Sequence, residues 1–493
     1  MILRPLVAAA AIAINSVASA APVLAPPVPV ASELQRYVRV SSGRIALAHA
    51  RVIDGTGSPA VEDQTILIDG ALIAAVQPGS AAIPQGYQIL DLAGASVMPG
   101  IVGMHNHLFY IQRPNIDASA NSENPLIVPQ MSFSAPRLYL ANGVTTMRTT
   151  GSVETYTDLS LKREIDAGHL VGPHIDVTGP YLEGPGAFFI QAHEITSPED
   201  ARKEVAFWAD QGVNSFKAYM HITRAELKAA IDEAHRYHLK VTGHLCSVTY
   251  PEAVELGIDN LEHGFYVNTQ LDPGKQPDKC TDEAGGPTLL AMKPGSPEAN
   301  ALIKLLVDHH VAITSTLPVF EQFVPLHAPL QARQMDVMSP QARESYLYLR
   351  NLTARLAGTK PGQEEAEKYQ HNLGLERQFV AAGGLLIAGP DPTFNGGVIP
   401  GFADQRELEL LVEAGFSPVE AIRIGTLNGA TYLGLADRIG SIAPGKNADL
   451  IIVRGNPAAK IGDVEKVEIV FKDGVGYDSA KLLQSVRGRY GQY

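Results

Sequence analysis

The chain has 493 residues, of which 45% are hydrophobic and 18% are charged. This balance is typical of a globular protein and excludes general disorder. Lys and Arg number 39 against 52 Asp and Glu, a net charge of -13, so there is no basic surplus to attract phosphates, and a nucleic-acid partner is disfavoured. The two cysteines, Cys246 and Cys280, are too few for a disulfide scaffold or a cysteine-rich zinc site. Any bound metal must therefore be held by histidines and carboxylates.

The first 20 residues have the pattern of a secretory signal peptide. Arg4 precedes an apolar run from Leu6 to Ile14, and the small residues of the run ASA at 18–20 form a cleavage site. The apolar run is too short to cross the roughly 30 Å of a bilayer core, which disfavours a membrane anchor. We therefore expect export, to the periplasm or outside the cell. No later stretch is long and apolar enough to span a membrane.

Short apolar runs separated by Gly, Pro, Asp and Asn lie near both ends of the mature chain. The N-terminal region contains IALAHARVIDG and QTILIDGALIAAV, and the C-terminal region contains NADLIIVRGN and VEIVFKDGVGY. Such runs between turn-forming residues are typical of β-strands and tight turns. We predict one small β-sandwich domain assembled from the two ends.

The middle of the chain alternates eight β-like apolar runs with helical patterns. Two of the predicted helices begin with capping-box residues, Ser197 with Asp200 and Thr223 with Glu226. Eight strands alternating with helices predict an α/β fold with a (β/α)8 TIM barrel, in preference to an open sheet.

Two insertions, residues 267–298 and 322–375, interrupt the barrel pattern. Because the loops that follow barrel strands build the active-site face, we expect both insertions to form lids or substrate walls. The predicted organisation is a signal peptide at 1–20, an N-terminal tether at 21–44, the first part of the β-sandwich at 45–95, the metal-dependent hydrolase barrel at 96–430, and the second part of the β-sandwich with the C-terminal tail at 431–493.

Titratable side chains recur where the predicted barrel strands end. His105 and His107 are two residues apart on one strand, so both side chains leave the same face, as metal binding by two imidazoles requires. The other four each fall late in a separate strand: Lys217, His244, His263 and Asp391. Each has an ordinary explanation by itself, such as a solvent-facing histidine or a turn-forming aspartate. Together they predict one metal-binding rim.

This ordered set resembles the amidohydrolase superfamily, in particular its imidazolonepropionase-like and prolidase-like branch, which includes Xaa-Pro dipeptidases and ochratoxinase-type enzymes. The matching segments are PGIVGMHNH, the lysine of NSFKAYM, the histidines of KVTGHL and NLEHGF, the aspartate of IAGPDPT and the closing GSIAPGKNADLIIV. The resemblance covers nearly all of the mature chain and implies a metal-dependent hydrolase with a barrel beside a small β-sandwich. The sequence departs from the family at Gly389-Pro390-Asp391-Pro392. The family usually has Gly and then Ser or Thr before this Asp, whereas here Pro390 precedes it. We therefore expect an unusual backbone at Asp391.

The resemblance also implies a centre of two divalent metal ions. His105 and His107 would hold the more buried ion together with Asp391, and His244 and His263 would hold the second. Zinc is favoured, although manganese and cobalt also suit nitrogen and oxygen ligands.

Lys217 would bridge both ions as a carbamate formed from carbon dioxide. An ammonium cannot bind a cation, but two nearby divalent ions would lower the lysine pKa and leave an amine that captures carbon dioxide. An ordinary ion pair at the barrel rim is the alternative. In the implied mechanism one metal polarises the scissile carbonyl and a metal-bridging hydroxide attacks it. Asp391 then moves the proton from the hydroxide to the departing amine or alkoxide.

Four other side chains are candidate substrate contacts. Tyr219 and His221 follow the predicted bridging lysine and could bind a substrate carboxylate, although packing or capping explains them equally well. Arg148 is a candidate anion contact, with a structural salt bridge favoured over it. His193 is a weaker candidate in the loop after the third strand. Cys246 is expected to be a buried apolar thiol.

The predicted function is hydrolysis of the amide bond in a dipeptide, an N-acyl amino acid or a similar xenobiotic amide. The alternative is a lactone, ester or phosphotriester hydrolase with the same metal centre. A deaminase is disfavoured because such sites commonly have a Glu shortly after the fifth-strand histidine, whereas Leu, Cys and Ser follow His244. A non-catalytic scaffold is disfavoured because no ligand of the set is missing. The resemblance further implies a homo-oligomer that acts on a small-molecule substrate.

Overall fold

A computed structural model describes residues 29–109, 127–187, 189–393 and 396–491. The predicted signal peptide and the start of the predicted tether lie outside the described residues. Within the described ranges, no helix combines the length and the apolar character that crossing a bilayer requires.

The described residues form seventeen strands. In chain order they are β1 (Val38–Val40), β2 (Gly43–Val52), β3 (Val61–Gly70), β4 (Leu72–Pro78), β5 (Gln88–Asp91), β6 (Ala95–Pro99), β7 (Ile101–Asn106), β8 (Val144–Thr149), β9 (His174–Leu182), β10 (Ser215–Ala218), β11 (Lys240–Gly243), β12 (Asn260–Leu261), β13 (Ala312–Ser315), β14 (Leu386–Ala388), β15 (Leu450–Arg454), β16 (Val467–Lys472) and β17 (Val475–Asp478).

The α-helices, again in chain order, are α1 (Ala135–Ala141), α2 (Thr155–Asp166), α3 (Pro198–Gln211), α4 (Arg224–Arg236), α5 (Tyr250–Leu256), α6 (Gly286–Ala291), α7 (Pro297–Asp308), α8 (Leu317–Glu321), α9 (Ala332–Val337), α10 (Pro340–Ala354), α11 (Lys360–Ala381), α12 (Phe402–Glu413), α13 (Pro418–Arg423), α14 (Gly429–Tyr432) and α15 (Ser479–Val486). Two 3-10 helices, Ser32–Tyr37 and Ile461–Glu465, and one π-helical turn, Ile424–Asn428, complete the helical segments of these ranges.

A mixed nine-stranded sheet is built from both ends of the chain, as predicted. Its order is β1-β17-β16-β15-β6-β2-β3-β4, with β5 paired to β2. The two ends join where β6 and β15 pair antiparallel, with Val97 opposite Ile452. Alternating apolar residues of these strands form a separate core that includes Ile45, Leu47 and Ile66. Strand β1 lies within residues 21–44 and pairs with β17, so this part of the expected tether belongs to the sheet.

The eight strands β7 to β14 form a parallel sheet in sequence order, curled into a nearly closed barrel. Every residue of β8, β10 and β13 is buried, as expected for parallel strands covered by helices. The backbone N–H of Asp391, just beyond β14, donates to the carbonyl of His105 in β7 at 3.0 Å, which brings the last strand against the first. The prediction of a (β/α)8 barrel is confirmed.

Two predicted helix starts have the expected caps. Ser197 accepts a hydrogen bond from the backbone N–H of Asp200 at the start of α3, and Thr223 with Glu226 forms a reciprocal capping box at the start of α4. Such caps satisfy backbone donors that the first helical turn leaves free. These caps therefore define the residues at which α3 and α4 begin.

The two insertions follow β12 and β13, on the same side of the barrel as the carboxyl ends of the strands. The first contains helix α6, and the second contains α9, α10 and most of α11. A disulfide joins Cys246, just after β11, to Cys280 in the first insertion, with Cα atoms 4.8 Å apart. The expectation of a free thiol at Cys246 is therefore wrong, although the residue is buried. The crosslink fastens the first insertion to the end of a barrel strand.

Candidate active site

The six side chains predicted to bind metal all lie at the carboxyl ends of barrel strands. They occupy the ends of β7, β10, β11, β12 and β14, or positions one to three residues beyond those ends. Parallel strands of a barrel end at one face, so five separate chain segments deliver their side chains to the same place. The residues are His105, His107, Lys217, His244, His263 and Asp391.

The tightest cluster consists of His105, His107 and Asp391. Each offers a ligand atom, and these atoms all lie within 4.8 Å of one another. Oδ1 of Asp391 is 3.2 Å from Nε2 of His107 and 3.6 Å from Nε2 of His105. All three residues are buried. Burial lowers the pKa of His105 to about 4, so its imidazole is neutral at pH 7 and one ring nitrogen carries a free lone pair.

Asp391 reaches this cluster through an uncommon backbone conformation. Its φ is +54°, in the left-handed region that few non-glycine residues occupy. A Cβ atom at the preceding Gly389 would lie 2.1 Å from the backbone nitrogen of His105, so only glycine fits this close approach. The expectation of an unusual backbone beside the two prolines agrees with this geometry. The carboxylate nevertheless lies within hydrogen-bonding distance of His107.

Lys217 points from β10 into the same site. Its Nζ is 3.2 Å from Nε2 of His105 and 5.2 Å from the centre of the Tyr181 ring. Only 2% of the residue is exposed, and no carboxylate of the described residues lies within 4.0 Å to form an ion pair with it. Burial lowers the pKa of Lys217 to about 8, against the opposing effect of Asp391. A neutral, nucleophilic amine is therefore accessible near neutral pH.

His244 and His263 form the other side of the cluster. Their ring centres are 4.4 Å apart, and the His263 ring is 4.6 Å from that of His105. Nδ1 of His263 is 2.9 Å from Oγ1 of Thr316, whereas its Nε2 is buried with no hydrogen-bond partner among the described residues. Burial and neighbouring cationic groups lower the pKa of both histidines well below the usual range. Both are neutral imidazoles, and Nε2 of His263 is available to bind a cation.

A buried carboxylate that the sequence analysis did not single out supports His105. Oε2 of Glu262 accepts a hydrogen bond from Nδ1 of His105 at 2.7 Å, and Oε1 accepts from Arg148 at 2.7 Å and from Thr242. Burial raises the pKa of Glu262, but Arg148 and His105 outweigh this effect and hold the pKa well below its usual range. Glu262 thereby places the proton of His105 on Nδ1 and leaves Nε2 to face Asp391. Its position directly before His263 was the available sequence signal.

Arg148 lies inside the barrel and does not contact the substrate side of the site. It is fully buried, and its guanidinium donates to the carbonyl of Met104 at 2.8 Å and to Asn260 at 3.1 Å, besides Glu262. The candidate anion contact is therefore corrected to the alternative, a structural salt bridge. All of these partners belong to the barrel interior.

The other candidate substrate contacts lie at different distances from the cluster. The Tyr219 ring centre is 4.8 Å from that of His244, so this residue borders the site. Nδ1 of His221 is 3.4 Å from Oε1 of Glu183, which directly follows the neighbouring strand β9. His193 is half-exposed and pairs with Asp200 at 3.2 Å. His193 therefore lies in the loop before α3, and its side chain pairs with the first turn of that helix.

Replacement of Glu262 should weaken metal binding through His105. In Glu262→Gln the carboxylate charge is lost and the proton position on His105 is no longer fixed, so we expect metal affinity to fall by about 10- to 100-fold. The measurement is the metal dissociation constant from chelator competition, which does not depend on turnover. Glu376→Gln is the matched control, because Glu376 is equally buried but bonds to Ser315 and Asn372. An unchanged dissociation constant in Glu262→Gln would contradict the role assigned to this carboxylate.

Comparison with known proteins agrees with this architecture. The chain is 23% identical over 431 residues to an imidazolonepropionase of Deinococcus radiodurans, a match that covers 80% of this chain and 86% of that protein. A match to adenine deaminase 2 of Bradyrhizobium sp. strain ORS 278 is local, with 33% identity over 105 residues that span 20% of this chain and only 17% of that protein.

Solved structures match over almost the whole chain. A protein of Bifidobacterium longum assigned as a prolidase is 27% identical, with a TM-score of 0.62, 90% of this chain covered and 99% of that one. A Xaa-Pro dipeptidase solved with bound methionine in its active site is 21% identical, with a TM-score of 0.64 and coverage of 88% and 100%. The profile of the amidohydrolase family matches residues 96–475. On this match, together with the barrel and its rim, the chain belongs to the amidohydrolase family and is a hydrolase acting on carbon–nitrogen bonds.

Proposed function

We propose that this protein is an exported, binuclear metal-dependent amidohydrolase that cleaves the amide bond of a dipeptide, an N-acyl amino acid or a similar xenobiotic amide. The observation that carries the proposal is the convergence of neutral imidazoles, a carboxylate and a buried lysine on one barrel rim. The whole-length similarity to an imidazolonepropionase and to structures of prolidase type supports a carbon–nitrogen bond as the target.

The residues present fit divalent cations. Nε2 of His105, Nε2 of His107 and Oδ1 of Asp391 face one another, and such a set of nitrogen and oxygen donors suits zinc and similar ions. His263 has a buried Nε2 without a hydrogen-bond partner in the described ranges, which a cation would satisfy. A buried nitrogen of this kind is costly unless it is paired.

The proposed ligand assignment follows the geometry. The cluster of His105, His107 and Asp391 would hold one ion, and His244 with His263 the second. Lys217 would bridge them as a carbamate, for which its lowered pKa provides the neutral amine. When bound, the ions would polarise the scissile carbonyl and activate the attacking water.

The protein groups then position the substrate and move the proton. The carboxylate of Asp391 would accept the proton of the attacking water and deliver it to the nitrogen of the departing amine. Tyr219, beside His244, and His221 would bind the carboxylate of the substrate. Phe320 stacks on Tyr266 with ring centres 3.6 Å apart and lies 5.6 Å from the His263 ring, so the two rings shield this side of the site from water.

The disulfide supports the proposal of export. Disulfides persist in oxidising compartments and are rare in the cytosol of most cells. The bond between Cys246 and Cys280 is therefore consistent with the signal-peptide pattern of the first 20 residues.

A substrate panel tests the proposed reaction. Metal-loaded protein should hydrolyse dipeptides or N-acyl amino acids, because the relatives act at carbon–nitrogen bonds and the rim supplies a proton for an amine leaving group. The assay measures kcat/KM for these amides, for lactones and for a phosphotriester, with and without a chelator. Turnover of lactones or the phosphotriester alone would replace the amide proposal, and full activity after metal removal would reject the metal centre.

Removal of the Lys217 side chain should empty part of the metal centre. We expect about two metal equivalents in the wild type and a loss of both metal and activity in Lys217→Ala, with partial rescue by short carboxylic acids that can take the place of a carbamate. Elemental analysis and turnover are measured on the same preparation. Lys240→Ala is the matched control, since Lys240 starts the neighbouring strand β11 and bonds to the carbonyl of Tyr432. Full metal occupancy in Lys217→Ala would contradict the bridging role.

Asp391→Asn should separate proton transfer from metal binding. The amide keeps the size and one oxygen ligand but cannot carry a proton, so kcat should fall by about 10² to 10⁴ while much of the metal remains. Turnover, metal content and Tm are measured together, because loss of a turn residue would lower Tm with turnover unchanged. A wild-type kcat at full metal loading would show that the proton passes through another group.

Export predicts a processed and oxidised protein. When the full sequence is expressed, the exported fraction should begin at Ala21, after the predicted cleavage site. It should show no free thiol before reduction and two afterwards. N-terminal sequencing and thiol titration check both points. An unprocessed, reduced protein confined to the cytosol would contradict the proposal of export while leaving the proposed reaction unaffected.

A further inference from the structure

A second group of residues of the types that bind metal ions lies at the amino-terminal end of the barrel strands. His174 is the first residue of β9, Asp449 directly precedes β15, and Asp473 lies in the turn between β16 and β17. The histidine thus belongs to the amino-terminal end of a barrel strand, and both aspartates belong to the nine-stranded sheet. The group is separate from the six residues at the carboxyl ends of the strands.

The three side chains converge closely. Each offers a ligand atom, and all three atoms lie within 4.8 Å of one another. Nε2 of His174 is 3.2 Å from Oδ1 and 3.1 Å from Oδ2 of Asp473. Asp449 is joined to the group because its Oδ1 accepts the backbone N–H of Asp473 at 2.8 Å. One imidazole nitrogen and carboxylate oxygens from two aspartates therefore surround a common point.

Asp449 has an oxygen without a partner. The residue is only 4% exposed, and its Oδ2 is buried with no hydrogen bond to any described residue. A buried carboxylate oxygen is costly unless a donor or a cation satisfies it. The second carboxylate, that of Asp473, makes the position still less favourable for an unpaired negative charge.

A third carboxylate, that of Asp166, lies behind the imidazole of His174. Its Oδ1 lies 3.7 Å from Nδ1 of His174, on the ring nitrogen opposite to the one that faces Asp473. A carboxylate behind a histidine, with the other ring nitrogen turned to the cation, is the usual arrangement around protein-bound metals.

The local charges leave room for a cation. Three carboxylates, those of Asp166, Asp449 and Asp473, meet two ammonium groups. Lys472 lies 3.4 Å from Asp473, and Lys162 lies 2.9 Å from Asp166. One negative charge is left, and either a proton on His174 or a bound cation can balance it. A cation in contact with Asp449 would balance this charge and also satisfy its buried oxygen.

We propose that His174, Asp449 and Asp473 bind a divalent cation of the zinc class that fastens the nine-stranded sheet to the amino-terminal end of the barrel. One histidine nitrogen with carboxylate oxygens suits zinc better than calcium or magnesium, which prefer oxygen alone. His174 and Asp473 are partly exposed, so water can complete the coordination. The ion has a structural role, because none of its ligands reaches the active-site face.

Zinc stoichiometry of the full-length chain tests the proposal. Wild type, His174→Ala and Asp473→Asn are dialysed against the same buffered free zinc, and zinc per chain is counted by elemental analysis. We expect one equivalent fewer in each variant, unchanged turnover, and loss of a zinc-dependent increase in Tm. His235→Ala is the matched control, because His235 forms a similar pair with Asp259 at 2.9 Å but has no third ligand in the described residues.

Two additional results keep the test decisive. The variant His107→Ala, which disrupts the active-site cluster, should retain the equivalent that depends on His174, so failure of the active-site proposal and failure of this one are distinguishable. Asp473→Asn preserves side-chain size and serves as the second variant if His174→Ala does not fold. The proposal is overturned if wild type and variants hold the same amount of zinc per chain and the variants lower Tm by the same amount with and without zinc. The group would then be an ion pair only.

Discussion

The ion pair between Arg148 and Glu262 inside the barrel is the interaction on which the site depends. Both residues are fully buried, and a buried charge is very costly unless hydrogen bonds satisfy it. Glu262 bonds to Arg148, Thr242 and His105, while Arg148 also bonds to Met104 and Asn260. These partners lie on or beside β7, β8, β11 and β12. The pair therefore ties four barrel strands together, and it turns His105 so that Nε2 faces Asp391.

Several residues of the rim have backbone conformations or buried side chains that cost folding free energy. Asp391 and His263 have φ values of +54° and +69°, and such conformations of non-glycine residues cost about 1 to 3 kcal/mol each. Lys217 is buried among histidines and aromatic rings without a carboxylate partner within ion-pair distance in the described structure. Strain and unpaired groups of this kind are usual at functional sites, where a ligand supplies the missing interactions. A ligand that supplies these missing interactions would therefore stabilise the rim.

The nine-stranded sheet holds the two ends of the chain together on one side of the barrel. Pairing of β6 with β15 brings the residues before the first barrel strand next to a strand that follows helix α14. At the carboxyl ends of the barrel strands, the Cys246–Cys280 bond fastens an insertion beside β11, the strand that His244 follows. The first insertion is therefore anchored covalently beside the rim. This crosslink limits how far that insertion can move relative to the rim.

The sequence by itself determined the barrel, the two-ended β domain and the residues expected at the rim. Strand and helix patterns and caps such as Thr223 with Glu226 are local properties, and residues that end parallel strands must share one face. Local pattern also located the HxH pair and the unusual prolines around Asp391.

Only the tertiary structure decided which partners meet across the chain. Arg148 and Glu262 are 114 residues apart, Cys246 and Cys280 are 34 apart, and β1 pairs with β17 from the opposite end of the chain. No local periodicity predicts such pairs, because they arise from the closing of the barrel and from the burial of charges that then require a partner. For the same reason Arg148 was open to two interpretations in the sequence, and its burial beside Glu262 assigned it to the barrel interior.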